Sequence, residues 1–462
     1  MKQSRSHHDL RMTADERRAA LGLGSVYAAR MFGLFMILPI FTLYAHDLVG
    51  YTPVLAGLAI GAYGLTQALL QLPFGLLSDR LGRKRIITAG LLLFAAGSVV
   101  AAMADGILGV ILGRALQGAG AIAAAVMALA ADLTREDHRT KAMAIIGMSI
   151  GAAFTLSLIV GPIIGAWLGL AGVFWTTAVL ALVALAILHL YVPDPLTSRF
   201  HRDAEPVPAQ IGAVLRNGQL LRLDMGILVL HLVMTATFVA LPLALRDIGG
   251  LPGDRHWEVY LGVLAASVVL MLPFIILAER HRRIKRVFLG AILVLGIAQL
   301  GMLSADRGLA HLVLAMVLYF AAFNVLEASL PSLVSKVAPP QSKGTALGIY
   351  STSQFLGAFL GGASGGWMLQ HFGTHGVFML CAGMAGLWFL FALGMRNPRY
   401  LSSHMVSVGP LNDDEASHLT ARLTAITGVA EAVVIVEDGV AYLKVDRNAL
   451  DEEALEQLTA AG

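Results

Sequence analysis

The chain alternates about twelve long apolar segments with short charged ones, and that alternation decides its class before any motif is read. The segments run 19–45, 54–78, 86–104, 107–131, 141–168, 173–192, 223–246, 257–279, 287–304, 308–334, 344–370 and 375–395. Each is long enough as a helix to cross about 30 Å of hydrocarbon. Of the 462 residues, 57% are hydrophobic and 14% charged, against about 25% charged in soluble domains. A soluble core has no place for so much apolar sequence, so the chain is read as an integral membrane protein. Continuous apolar runs, rather than weakly alternating ones, point to helices and not a barrel.

Cations give the topology. With Met1 on the cytoplasmic side, 25 lysines and arginines fall on that side of the membrane body and three, Arg246, Arg255 and Arg307, on the other. The positive-inside rule then makes both termini cytoplasmic. The first twenty residues are polar and charged, so no cleaved signal peptide is expected. The net charge of +3 hides a contrast, because the residues from Ser402 onward sum to −8 and the remainder to +11. Domain boundaries follow: a cytoplasmic segment 1–18, a six-helix bundle 19–192, a proline-bearing connector 193–222, a second bundle 223–395, a linker 396–403 and a soluble domain 404–462. The start of the fifth segment (Thr140–Ala144) overlays the start of the eleventh (Lys343–Leu347), as in a degenerate repeat. Two similar halves with a site between them is a transporter plan.

Between the second and third segments lies Gly75-Leu76-Leu77-Ser78-Asp79-Arg80-Leu81-Gly82-Arg83-Lys84-Arg85. Such a charge density is excluded from the bilayer interior, so this is a tight turn at a membrane surface. It resembles the signature loop of the major facilitator superfamily, G-x-L-x-D-R-x-G-R-K/R, at Gly75, Leu77, Asp79, Arg80, Gly82, Arg83 and Lys84. Gly113–Gly120 resembles the fourth-helix motif R-x-x-Q-G of the same family. The fifth segment, with Ser157, Gly161, Pro162 and Gly165, is similar to the antiporter motif G-x-x-x-G-P-x-x-G-G, with Ser157 and Ala166 in place of two glycines. Gly33 through Pro39 partly matches a first-helix motif of drug exporters, with Thr42 where a second proline would stand. Several drug exporters carry an acid on that helix. Here the acid is Asp47, near its outer end.

Residues 19–395 thus resemble the drug:proton antiporter branch of the superfamily. The resemblance implies an all-α, twelve-helix fold, a bacterial inner-membrane location and proton-coupled efflux of a small molecule. It also implies that the first, fourth, seventh and tenth helices line a central cavity. Arg30, Arg114, His231 and Glu327 fall one on each, with Asn324 and Gln354 nearby, and ionisable groups inside a bilayer are functional candidates. Glu327, mid-segment, is placed to bind and release a proton near neutral pH, and His231 titrates there unaided. The plainer readings are a packing histidine and a fixed Glu327–arginine pair. Gln67, Gln71, Gln117 and Gln354 read as interhelical bonds or substrate contacts. Asp79, Arg83 and Asp132 are expected to cluster as a gate, with Asp79 latching onto the N-terminal end of the eleventh helix near Gly344 when the cavity opens outward.

The tail reads as a strand at 404–408, a helix from the capping box of Asn412 and Glu415 to Ile426, and strands 432–436 and 440–445. A hairpin through Glu437-Asp438-Gly439 joins those two strands, and a helix at 450–459 closes the domain. That order resembles a ferredoxin-like α+β domain lacking its last strand. The loop after the first strand, Gly409-Pro410-Leu411-Asn412, has no cysteine, so no metal is expected. The tail either docks on the basic cytoplasmic loops or dimerises. The expected partners are a small-molecule substrate, protons and the lipid bilayer, with no cofactor and no nucleic acid. Symport of an anionic metabolite, favoured by two cavity arginines, and a non-transporting sensor are the alternatives. With no catalytic constellation or nucleotide loop, an enzyme is not expected.

Overall fold

The structure, a computed structural model, describes residues 12–195, 207–339, 342–397 and, in the tail, 402–409, 411–436, 439–446, 449–451, 454–455 and 457–458. Nine helices among them are long and apolar enough to cross a bilayer. Two of the nine, of 50 and 51 residues, would each run about 75 Å at 1.5 Å per residue, more than twice the hydrocarbon thickness. Both break at a glycine with positive φ, Gly169 (65°) and Gly373 (67°), which no β-carbon-bearing residue adopts cheaply. Each is therefore two spans. With Ala14–Phe35 the described chain has twelve.

In order these are α1 (Ala14–Phe35), α2 (Pro53–Leu81), α3 (Arg83–Ala102), α4 (Ile107–Asp132), α5 (136–168) and α6 (170–190). The second set is α7 (Gly218–Asp247), α8 (His256–Glu279), α9 (Ile284–Leu303), α10 (Leu309–Val337), α11 (343–372) and α12 (374–393). The turn between α2 and α3 is the single residue Gly82, at φ 98°. Three boundaries differ from the sequence reading. The first segment is not one helix to 45, because α1 stops at Phe35, residues 36–40 turn around Pro39, and a short helix Phe41–Tyr44 follows. Second, α4 is interrupted at Gly120, whose ψ of 53° ends one helix before the next starts at Ala123. Finally, α7 begins at Gly218 rather than 223, because the Asn217 side chain accepts from the Gln219 and Leu220 amides and caps it.

Glycine sets which helices touch. On α11, Gly357 and Gly361 lie against the backbone of Leu228 and Leu232 of α7, where an added Cβ would sit 2.1 and 2.3 Å from a carbonyl oxygen. On another face of α11, Gly362 and Gly366 meet Gly57 of α2, and Gly61 and Gly64 of α2 meet Phe359 and Phe355. These contacts join the two halves away from the Gly82 turn, on what we call the far face. Val54 N–H donates to Gln370 Oε1 (3.4 Å) at its edge. Below them, Phe35 packs edge-on to Phe154 (4.9 Å), and Phe154 stacks on Phe323 (5.8 Å), again joining the halves. The far face is closed.

The tail holds β1 (Ser402–Ser407), α13 (Asp413–Thr424), β2 (Val429–Ile435) and β3 (Val440–Val445). The sheet order is β1-β3-β2 with β3 antiparallel to both neighbours. This is the split βαβ arrangement of a ferredoxin-like fold. Leu423, Ala441, Leu443 and Val445 fill its core. Glu437 and Asp438 of the hairpin lie outside the described residues. The same holds for much of the helix expected at 450–459, of which Ala454, Leu455, Gln457 and Leu458 are helical. The domain rests on the second half. Lys444 Nζ donates to the Lys336 carbonyl at the end of α10 (3.0 Å), and Arg282 reaches Asp446 (3.4 Å). Burial pushes the Lys444 ammonium down, and Glu431 at 3.9 Å opposes that.

Candidate functional site

Three polar clusters occupy the body. At the Gly82 turn, Arg83 is buried and donates to Asp79, to Ser78 Oγ (3.0 Å) and to Asp132 (3.4 Å), whose side chain is also buried. One guanidinium thus ties the end of α2 to the end of α4, and the carboxylate pair satisfies its fork. Lys84 turns the other way, to the Val192 carbonyl and Asp194, both at 2.7 Å, past the end of α6. That bond holds Asp194 below the usual carboxylate range. Arg80 is exposed, and Gly75 packs on Ala124. Among the described residues Asp79 bonds within its own half. The start of α11 is met by the connector instead, with Val207 N–H donating to Thr345 Oγ1 (2.8 Å).

In the first half, Arg30 and Arg114 are buried against the Tyr63 ring, 5.5 and 5.2 Å from its centre. Arg30 donates to Gln67 Oε1 (2.6 Å) and to the Gly120 carbonyl (2.9 Å), which the break in α4 leaves free. Arg114 donates to Gln117 (2.8 Å) and to the Ala59 and Ile60 carbonyls. Gln67 continues to Gln71 (3.1 Å), and Gln117 to Ser98 (2.8 Å). No carboxylate pairs with either arginine among the described residues, and Arg30 Nε and Nη1 have no partner. Gly161 of α5 lies against the Met36 carbonyl and Gly165 against Ile40 and Tyr44. The small residues around Pro162 thus make room for the turn that follows α1.

The third cluster is in the second half. Gln354 of α11 sits between His231 of α7 (Nε2–Nε2 2.8 Å) and Glu327 of α10 (3.4 Å), and His231 Nδ1 is 4.0 Å from Glu327. The Glu327 side chain is 38% exposed. No arginine stands against it, so the fixed-partner alternative finds no partner among the described residues. Asn324 turns away to Ser267 of α8 (3.3 Å). Two members of this region escaped the sequence reading. Asp224, on α7 seven residues before His231, is buried with Oδ2 unpartnered, and the Tyr350 hydroxyl on α11 is buried and unpartnered. The signal for Asp224 was the Asn217 cap, which moves it from a helix end to a position two turns inside.

The comparisons agree with this architecture. The model of the Major Facilitator Superfamily matches residues 23–275 and 223–404. The inner membrane transport protein YajR of Escherichia coli K12 is 46% identical over 97% of this chain and 99% of its own length. The multidrug resistance protein MdtH of Yersinia enterocolitica is 26% identical over 73% of this chain and 83% of its own. Among solved structures, a bacterial homologue of the human lysosomal transporter Spinster, inward-facing and occupied, superposes with TM-score 0.67 at 14% identity, covering 83% of this chain and 97% of that one. Family model, full-length relative and twelve-span fold coincide, and the chain belongs to the major facilitator superfamily of membrane transporters.

Proposed function

We propose that the protein is a proton-coupled antiporter that expels a small molecule from the cytoplasm of a bacterium across its inner membrane, with the Gly82 turn and both termini cytoplasmic. The observation that carries this is the Glu327–His231–Gln354 cluster. It offers an ionisable pair at the seam with no arginine to fix its charge, and such a group gains and loses a proton as water reaches it. Arg30 and Arg114, buried in this state, are the cations the first half would present to a cavity between the halves. One charge falling through about 100 mV supplies about 2.3 kcal/mol, a roughly fifty-fold gradient. The multidrug relatives support efflux of drug-like solutes. The arginine pair without an acid favours a second reading, symport of an anionic metabolite.

The closed far face leaves the latch open. Among the described residues Asp79 is bonded to Arg83 alone, and it would engage the α11 terminus when the halves rock the other way. The tail is a docked module on the second half and regulates or steadies it.

Proteoliposomes loaded with a pH dye and given a panel of drugs separate the readings. Solute-driven proton release supports antiport, proton uptake supports symport, and no flux for any solute favours the sensor. Glu327→Gln should abolish solute-driven proton movement while expression stays normal. Unchanged coupling removes Glu327 as the proton site.

A further inference from the structure

The buried charges of the first half are compensated in different ways. Arg83 has Asp79 and Asp132, and buried Glu16 holds Arg135 (2.9 Å). Arg114 engages all three of its nitrogens, with Gln117 and two carbonyls. Arg30 is fully buried, yet only its Nη2 is engaged, by Gln67 Oε1 (2.6 Å) and the Gly120 carbonyl (2.9 Å). Nε and Nη1 have no partner, and they carry three of the five guanidinium N–H groups. The Nη2 bond fixes where these spare donors lie. Gly120 is the break in α4, and the helix restarts three residues on, at Ala123, with no side-chain cap. The amides of Ala123, Ala124 and Ala125 have no acceptor among the described residues, as at any uncapped helix start. That end of the ten-residue piece Ala123–Asp132 carries positive potential. The rings of Tyr63 from α2 and Phe94 from α3 have their centres 5.5 and 5.4 Å from the Arg30 guanidinium carbon.

We propose that the break in α4 is a binding site for a small monovalent anion of the chloride class, held by Arg30 Nε and Nη1 together with the amides that open the second piece of α4. The inference does not depend on which solute the protein moves or in which direction. The chemistry of the place selects the charge. Its two acceptors, Gln67 Oε1 and the Gly120 carbonyl, are already engaged by Nη2, so what remains is N–H groups, which suit an anion and not a cation. Arg30 and Arg114 bring two positive charges to the same Tyr63 ring, with no carboxylate on either among the described residues. Inside a protein such charges attract an anion far more than they would in water, and a buried cation left unpaired is costly. Burial selects the size. Arg30 is 0% exposed, which leaves room for one small ion and not for a solute-sized acid. An ion here ties α1 to both pieces of α4, because Arg30 comes from α1, the Gly120 carbonyl ends one piece and the amides begin the other. The second piece ends in Asp132, the partner of Arg83, so the bound ion stiffens the frame of the Gly82 turn.

The test uses the full chain in detergent at constant ionic strength, with sodium gluconate, too large for a buried site, replaced stepwise by sodium bromide. The thermal unfolding midpoint should rise with bromide and then saturate, as for a ligand bound by the folded state alone. Arg30→Lys keeps the charge but loses the planar set of donors, and should raise the half-saturating bromide concentration by roughly tenfold or more. A parent midpoint with no saturable rise overturns the site. So does a half-saturation unchanged in Arg30→Lys, which would put the ion on surface cations. Should Arg30→Lys fail to fold, the parent crystallised in bromide decides. An anomalous peak at hydrogen-bond distance from Arg30 Nε or Nη1 is expected. Bromide at surface lysines and arginines only, or water in its place, overturns the site whatever the melting curves give.

Discussion

At the residue scale, the buried charges differ in what compensates them. Arg83 has two carboxylates, whereas Arg30 has a glutamine and a carbonyl and stacks on Tyr63 and Phe94. Losing Arg30 therefore orphans Gly120 at the break in α4 and leaves a void beside Tyr63. Arg30→Ala should lower stability by roughly 2–4 kcal/mol, and Arg30→Lys, which has no fork, by about half that. Thermal unfolding in detergent measures both, and an unchanged Arg30→Ala midpoint would show the guanidinium to be dispensable for folding. The sequence alone pointed to Arg30, Arg114, Glu327 and His231, because charge inside an apolar run stands out without any structure. It could not pair them. Arg30 meets a carbonyl that exists only because α4 unwinds at Gly118-Ala119-Gly120, and the same three residues read equally well as a packing surface. Asp224 was overlooked for a related reason. Placing the start of α7 at 223 makes it a solvated end charge, and only the Asn217 cap buries it.

At the element scale, the glycine spacing of α5 and α11 does not by itself say which glycines meet another helix. Gly147 has nothing within 4 Å of an added Cβ, while at Gly361 that Cβ would be 2.3 Å from the Leu232 oxygen. Gly147→Ala should be neutral or stabilise by up to about 1 kcal/mol, since it removes only backbone freedom. Gly361→Ala must push α11 off α7, and a loss above about 2 kcal/mol is expected. Equal effects in a detergent melting series would mean that the α7–α11 contact is looser than the glycines require. Helix ends follow the same logic. The short turn at Gly82 was readable from its glycine and charges, whereas the stop of α1 at Phe35 depends on α5 offering Gly161 to the Met36 carbonyl. That is a tertiary contact no local pattern announces.

At the scale of the molecule, two halves meet through α2 and α11 on the far face, and the tail contacts seen among the described residues reach the second half. Lys444 and Asp446 bind the end of α10 and the α8–α9 turn. If the halves rock as bodies, the tail travels with the second. Its attachment then costs transport nothing, while any bond across the far face costs everything. The single cysteine, Cys381, is buried against Thr237 and Val233, so introduced thiols can be cross-linked in an otherwise native chain. Joining Arg282→Cys to Asp446→Cys with a short bismaleimide should leave solute-driven proton flux close to that of the unlinked double variant. Joining Val54→Cys to Gln370→Cys should abolish it, with recovery when a cleavable linker is cut. Loss of flux from the first bridge would show that the tail must leave the α8–α9 turn during the cycle, making it a moving part of the transporter rather than a passenger on its second half.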